Sequence, residues 1–287
     1  MANEHLTNFP VVKSNRKIHV APQFRPIRRG RRRQGIKRRY TYKSGAVLDI
    51  ILLEECDIAD QSLLYAILSM CLSEDRGKLL KKDTETEEGK RLREKLRING
   101  DVVDYDSLLL KTNRYELNEE MGKIRASKNR EWILQSLKRL SHIRFDYEDE
   151  RYVWGFNLLS YGYDKKTNDI LISINPLSAY VILQNKAFVH VHRGERMALE
   201  GDEAKALHSV LCGLVNPGDT RCLNADMLAD KVYSRYDEEI TDNMQLKRRK
   251  AIVDAGKKIN KLQGWSVDIL GRGVDTSLKV YRRKMKK

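Results

Sequence analysis

The sequence is poor in the features that mark secreted, membrane-bound and metal-binding proteins. Its four cysteines, Cys56, Cys71, Cys212 and Cys222, are scattered without the paired spacing of a zinc site. No apolar run approaches the roughly 20 residues of a membrane-spanning helix, and the first residues lack the apolar stretch of a signal peptide. These absences predict a cytoplasmic protein with buried thiols, no metal site and no membrane partner.

The sequence also lacks a phosphate-binding loop of the form G-x-x-x-x-G-K-[ST], which argues against a helicase of the phosphate-loop class. We expect no cofactor and no catalytic site. A hydrophobic content of 41% and a charged content of 33% predict a soluble chain with a packed core. Its 287 residues suit one large domain or two small ones.

Acidic residues are nearly absent from the first 40 residues, which hold 12 Lys or Arg and only Glu4, or +11 of the net +15. Residues 1–44 therefore predict a basic, flexible and disordered arm that cannot fold alone. A solubilising tail is the alternative interpretation. If the arm binds DNA, contacts with phosphates or a minor groove are predicted for its arginine run. That run comprises Arg28, Arg29, Arg31, Arg32 and Arg33.

The most informative stretch lies near the carboxyl terminus. Residues 244–263 carry seven Lys or Arg against one acid, Asp254, and apolar residues recur there at spacings of three and four, which predicts a basic amphipathic helix. Residues 265–269 and 278–282 predict strands around a glycine turn. Helix, strand, basic turn and strand follow the order of a winged helix. The alternative is a solvated basic helix packed on a hairpin.

A similar order is predicted earlier in the chain. Short helices over 106–110 and 113–121 precede a longer helix from Ser127, and a hairpin of residues 143–147 and 152–160 follows. Further helices are predicted at 57–72, 85–96, 177–183, 202–214 and 224–232, and strands at 102–105, 170–174, 189–192 and 221–223. The predicted fold is α+β, with two tandem winged-helix domains at 45–186 (including a linking helix) and 187–287.

A winged helix places the first residues of its recognition helix against base edges in the major groove. We predict recognition helices at 127–140 and 244–262. Arg is suited to guanine and Gln to adenine, whereas Lys suits phosphate. The predicted DNA contacts are Ser127, Lys128, Asn129 and Arg130 in the first domain and Gln245, Arg248, Arg249, Lys250, Lys257 and the wing residue Arg272 in the second.

A nicking initiator is an enzymatic alternative. Such enzymes hold a divalent metal with a His-hydrophobic-His pair and attack with a tyrosine. His190 and His192 would share one strand face, and Tyr281 is followed by basic residues. We interpret all three as strand and core residues instead. A winged-helix transcriptional repressor is a further alternative, since the same helices would serve it.

Several stretches resemble the IncQ-type plasmid replication initiators, the RepC proteins. Residues 204–218, AKALHSVLCGLVNPG, resemble the family segment ARLLHQRLCGWIDPG. Met244, the basic run 247–249 and residues 262–267 resemble its MRKRRQRVREAL…LGWTV. Weaker matches lie at 20–25, 89–93, 155–160 and 175–177. The matches keep the family's order over roughly residues 19–285.

The resemblance implies a bacterial, plasmid-associated initiator that binds iterons, the direct repeats of a plasmid origin. It implies two winged-helix domains, local opening of AT-rich DNA and recruitment of a separate plasmid-encoded helicase, with a primase acting later. A homodimer is left open by the sequence. This chain departs from the family in a denser basic segment at 28–39 and in the first residues of its recognition helices.

Overall fold

The computed structural model describes most of the chain. Described are residues 11–15, 19, 23–27, 32–42, 44–72, 76–122, 129–184, 188–233 and 240–284. Side chains are described in these ranges except at 11–15, 129–130, 181–184 and 188.

Helices and strands alternate along the described chain, in agreement with the predicted mixture of α and β structure. The strands are β1 Val11–Asn15, β2 Gln34–Thr41, β3 Val47–Glu54, β4 Gly77–Leu80, β5 Asn99–Gly100, β6 Ser107–Asn113, β7 Ile143–Glu148, β8 Val153–Asn157, β9 Leu159–Tyr163, β10 Asp169–Ile174, β11 Phe188–His192, β12 Thr220–Asn224, β13 Trp265–Leu270 and β14 Ser277–Arg282. The helices are α1 Ile58–Cys71, α2 Glu87–Lys95, α3 Arg114–Glu120, α4 Asn129–Ser141, α5 Pro176–Gln184, α6 Arg193–Ala198, α7 Asp202–Leu214, α8 Ala225–Tyr233 and α9 Asp242–Ile259. In the described ranges, every helix is too short or too polar to cross a membrane.

The chain divides into two compact units. The amino-terminal unit comprises Val12–Asn15 and Arg29–Phe188, and the carboxyl-terminal unit comprises Met1–Val11, Arg16–Arg28 and Val189–Lys287. The main division falls between Phe188 and Val189, close to the domain boundary that the sequence predicts after residue 186.

In the carboxyl-terminal unit, helices cover one face of a three-stranded antiparallel sheet with the order β12–β14–β13. Helix α9 packs against α7, α8 and β13. Leu278 and Val280 of β14 are fully buried, whereas Lys279 and Tyr281 on the opposite face of that strand are exposed. One face of the sheet therefore belongs to the core and the other faces solvent.

The amino-terminal unit contains two antiparallel sheets, ordered β2–β3–β7–β8–β5 and β4–β6–β10–β9. Helix α1 packs against α3, α4 and β6. It begins at Asp57, which forms a reciprocal capping box with Asp60. The buried side chains of the first sheet include Phe145 and Phe156, whose ring centroids lie 6.0 Å apart.

The two units share one sheet order. In each, the strand before the two helices lies beside the last strand of the following hairpin, as β6–β10–β9 and β12–β14–β13 show. The predicted hairpin of 143–147 and 152–160 is present as the antiparallel pair β7–β8, but the hairpin that corresponds to β13–β14 in sheet order is β9–β10. Leu158 separates β8 from β9, which belong to different sheets, and its N–H donates to the Ile143 carbonyl at 2.7 Å.

Residues 102–110 also differ from the prediction. Residues 101–104 form turns rather than a strand, and β6 occupies most of the segment predicted as the helix 106–110. Leu108 and Leu110 are buried, and β6 is hydrogen-bonded on both sides, to β4 and β10. A short apolar run suits a helix and a buried strand equally well, so periodicity could not decide between them.

The predicted flexible arm is wrong where the structure describes it. Strand β2 pairs with β3 and buries Ile36 and Arg38. The ring nitrogen Nε2 of His19 lies 2.8 Å from the Ser209 carbonyl, and Phe24 is buried. Composition suggested disorder because the arm is highly charged, but the charge of Arg38 is matched by Glu55, with Nη2 and Oε1 3.5 Å apart.

Candidate nucleic-acid interface

Helix α9 presents a continuous charged face because its start and its buried side are fixed by local chemistry. Thr241 caps the helix by accepting a hydrogen bond from the Met244 N–H at 3.3 Å. Ile252 and Ile259 face the core. At Gly256 a β-carbon would lie 2.9 Å from Leu278, so glycine allows close approach of the helix to β14.

The opposite face of α9 is a stripe of exposed lysines, at positions 247, 250 and 257, which we call the lysine stripe. These positions recur at helical spacing and so lie on one side. One acid interrupts them: Asp254 Oδ1 lies 3.4 Å from Lys257 Nζ. A face with this excess of cations suits an extended anion such as the DNA backbone.

Two of the three residues predicted to read bases are engaged within the protein. Arg249 makes a bidentate contact with Asp226 of α8, at 2.8 Å from Nε to Oδ1 and 2.6 Å from Nη2 to Oδ2. The Arg248 guanidinium lies 5.0 Å from the centroid of the Tyr233 ring. Each contact joins α9 to α8, and base recognition by Arg249 would require Asp226 to be displaced.

Gln245, the third predicted base reader, is half-buried near the start of α9. Its Oε1 atom is buried and has no hydrogen-bond partner among the described residues. A buried acceptor without a donor is destabilising, so turning this amide outward toward a ligand would break no hydrogen bond of Oε1.

The turn between β13 and β14 carries the predicted wing residue. Gly271 has φ +70°, and a β-carbon there would lie 2.5 Å from the Asp275 carbonyl oxygen, so the turn requires glycine. Arg272 and Val274 are exposed at the tip, Val274 by 67%. The hairpin thus extends a cation and an apolar side chain into solvent.

In the amino-terminal unit, the predicted recognition helix is α4. Asn129 and Arg130 lie in its first turn, where only the backbone is described, and Ser127 and Lys128 lie outside the described residues. Near the carboxyl-terminal end of α4, Arg139 joins this helix to α1, since its guanidinium lies 2.8 and 3.0 Å from the two Asp60 oxygens.

The arginine run is engaged by carboxylates where it is described. Arg32 contacts Asp57, Asp60 and the Glu55 carbonyl, and Arg33 Nη2 lies 2.9 Å from Glu55 Oε1. A phosphate contact by either side chain would have to replace these carboxylates. Arg28, Arg29 and Arg31 lie outside the described residues.

The family model for Replication protein C (RepC) matches residues 10–273. The chain belongs to the RepC family. This finding agrees with the resemblance read from residues 204–218 and 244–267, and it makes the chain a member of a family of replication proteins.

Crystal structures of domains 2 and 3 of RctB resemble this RepC-family chain in fold. One, a selenomethionine derivative, has a TM-score of 0.55 and 9% sequence identity, and the match covers 91% of this chain and 95% of that one. A second has a TM-score of 0.54 and 12% identity, with 94% and 97% covered. A comparison with curated proteins found no match.

The RepC-like blocks meet at a partly buried carboxylate, that of Glu195, which the sequence analysis did not identify. Glu195 Oε2 lies 3.0 Å from His208 Nε2 and 2.8 Å from Trp265 Nε1. A β-carbon on Gly264 would come within 2.2 Å of Glu195 Oε1. The resemblance to the RepC family pointed to only part of this cluster, because His208 and Trp265 lie in the matching blocks and Glu195 lies outside them.

Burial alone would lower the pKa of His208, but the negative charges of Cys212 and Glu195 raise it to about 9. The Glu195 carboxylate lies 3.0 Å from Nε2, and the Cys212 sulfur, at 3.9 Å, is a longer and weaker hydrogen-bond partner. The protonated imidazole and Glu195 therefore form a partly buried ion pair between α7 and α6, and Trp265 of β13 donates to the same carboxylate.

The residues of the nicking alternative occupy structural positions in this RepC-family unit. His192 caps α6, with its Nδ1 accepting from the Glu195 N–H at 3.3 Å. Tyr281 lies on the exposed face of β14, opposite Ser266 and Thr220 in register. Among the described residues, no group of three or more His, Cys, Asp or Glu could hold a metal ion.

Proposed function

We propose that this protein is a plasmid replication initiator that binds directly repeated sites at its origin. The observation that carries the proposal is the lysine stripe of α9, which is held between a capped helix start and an exposed basic hairpin in a chain of the RepC family. Extended rows of cations bind duplex DNA by releasing counterions from its phosphates.

In this proposal each unit acts as a winged helix on duplex DNA. Helices α4 and α9 enter major grooves, and the hairpins β9–β10 and β13–β14 act as wings. This assignment is supported by the shared sheet order of the two units, which gives each a helix pair followed by a hairpin.

The contacts of α9 divide into base readout and phosphate positioning. Gln245 is the favoured base reader because an amide suits adenine, and its buried Oε1 must turn outward to accept a hydrogen bond from the adenine amino group. Lys247, Lys250 and Lys257 meet phosphates, and Arg272 meets the backbone or minor groove from the wing. Arg248 and Arg249 contribute by fixing α9 on α8, and they reach bases only if their contacts with Tyr233 and Asp226 open.

The proposed initiator has no catalytic site of its own. Binding to repeats promotes opening of neighbouring AT-rich DNA, and a separate plasmid-encoded helicase and, later, a primase act on the opened strands. A nuclease footprint on the DNA that adjoins the gene tests this function. Regularly spaced protected repeats are expected, whereas a single protected operator would favour a transcriptional repressor.

The footprint has a matched control within the chain. Lys250→Gln should weaken protection of every repeat, because one phosphate contact is lost from each complex. Lys279→Gln should leave protection unchanged, because Lys279 lies on the sheet face opposite α9. Protection of random DNA equal to that of the repeats would contradict sequence-specific binding.

A further inference from the structure

A groove of about 850 Å³ opens on the amino-terminal unit, beside the outer face of β3 and the carboxyl-terminal end of α4. Its charged lining consists of Lys95, Arg97, Lys138, His142 and Arg144, and none of its lining side chains is a carboxylate. The groove therefore concentrates positive charge in a concave surface, which attracts anions more strongly than scattered surface lysines do.

Most of these cations are available to a ligand. Among the described residues, Lys95, Arg97 and Lys138 have no carboxylate partner, whereas Arg144 lies 2.7 Å from Asp146. Burial lowers the pKa of His142, and the charges of Lys138 and Arg97 lower it further. This direction is the one expected for an imidazole in a field of positive charge.

The rest of the lining is aromatic and aliphatic. Tyr161 and Tyr163 are two residues apart on β9 and so point to the same side of the strand. Arg114 covers the Tyr163 ring at 5.2 Å, which makes half-buried Tyr161 the better surface for stacking. Across the groove, Ile51 and Leu53 are 36% and 54% exposed on β3.

We propose that this groove binds single-stranded DNA. Cations that follow a backbone, together with aromatic surfaces for unpaired bases, are what a single strand requires, whereas the paired bases of a duplex cannot stack on a side chain. Pockets of roughly 300–1,000 Å³ hold drug-sized ligands, so a few nucleotides fit at a time.

This activity goes beyond the duplex binding proposed above, and it uses the carboxyl-terminal end of α4 and the side chain of Tyr161 on β9 rather than the first turn of α4. Lys138 lies about 14 Å along α4 from Asn129, at 1.5 Å per residue. A groove variant therefore leaves the first turn of α4 and the whole of α9 unchanged. Loss of single-strand binding and loss of repeat binding can be measured separately.

The test measures fluorescence anisotropy of labelled dT20 with the full chain in about 0.1 M salt. Replacing Arg97 and Lys138 by Gln should weaken binding about 25-fold, since each phosphate contact on a single strand is worth about 0.7 log units between 0.1 and 1 M salt. Tyr161→Leu should weaken binding about 10-fold, and Tyr161→Phe should retain it because the ring remains.

The matched control replaces Lys78 and Lys81 by Gln, two exposed cations of the same unit outside the groove. The control protein should bind dT20 like the wild type, and each groove variant should lose more affinity for dT20 than for the duplex repeat. The inference is overturned if the control loses as much affinity as the groove variant, if the wild type does not bind dT20, or if millimolar ATP displaces the oligonucleotide. Failure to bind the duplex repeat would instead refute the proposed function.

Discussion

Neutralising the lysine stripe provides the sharpest test of duplex recognition by α9. The perturbation replaces Lys247, Lys250 and Lys257 by Gln, singly and together. Their side chains are exposed and lie away from Ile252 and Ile259, so the packing of the helix is preserved. Gln has nearly the helix propensity of Lys, so the change removes charge and little else.

The magnitude follows from counterion release. Each lysine that neutralises one phosphate contributes about 0.9 to the steepness of the plot of log K against log salt, so the slope of the triple variant should be shallower by about 2.7. If the variants bind equally at 1 M salt, the affinity at 0.1 M salt should fall roughly 8-fold for each lysine replaced and roughly 500-fold for all three. Lys257 should contribute least, because Asp254 already offsets part of its charge.

The assay is a salt titration of binding to a duplex repeat and to a random duplex of equal length. Affinity should fall on both duplexes by similar factors, because phosphates carry no sequence information. Lys279→Gln is the single-site control, since this exposed lysine lies on the opposite face of the sheet. A slope that changes by less than about 0.5 in the triple variant, or equally in the control, would refute the assignment of this face to DNA.

Three further predictions concern the contacts that hold the surface in place. Asp226→Asn should weaken the bidentate contact that keeps Arg249 on α8. If Arg249 then reaches a guanine, the affinity for the repeat should rise in an electrophoretic mobility assay. An unchanged affinity would assign Arg249 to packing against α8 alone. Arg139→Met removes the bidentate partner of the buried Asp60 carboxylate but leaves Arg32 at 3.2 Å, so urea unfolding should show a loss of about 3 kcal/mol, at the lower end for a broken buried pair, whereas a loss below about 1 kcal/mol would contradict the buried pair. The pKa of His208 is raised from 6.5 to about 9 by folding, so its stabilisation, at most about 3 kcal/mol, is complete below pH 6.5 and lost as pH rises through 9. Unfolding of His208→Gln should lack this alkaline loss, and an identical pH profile in the variant would exclude His208 as its source.

Much of the carboxyl-terminal unit could be predicted because its local signals agree with its tertiary contacts. The predicted helix at 202–214 coincides with α7. Residues 244–263 have helical periodicity and include most of α9. The two strands after Gly264 alternate as half-buried strands do. Propensity, pattern and packing favour the same structure at each of these places.

The remaining features depend on contacts between distant residues. The Ser-Leu-Leu-Leu run of β6 was ambiguous until its pairing with β4 and β10 was known. The arginine run looked like a free polycation because Arg33 meets Glu55, 22 residues away, and Arg32 meets Asp60, 28 residues away. No local pattern reveals such partners, so sequence reasoning overestimated the charge that is available to DNA.

The partly buried carboxylate of Glu195 constrains how related sequences can diverge. Its Oε2 is fixed by His208 and Trp265, and its Oε1 occupies the space where any larger residue at Gly264 would place its β-carbon. A homologue that acquires a side chain at the position of Gly264 must therefore move the acid at the position of Glu195 away from its two partners, or shorten or replace it. Covariation of these two positions, 69 residues apart, would be an evolutionary trace of a single carboxyl group.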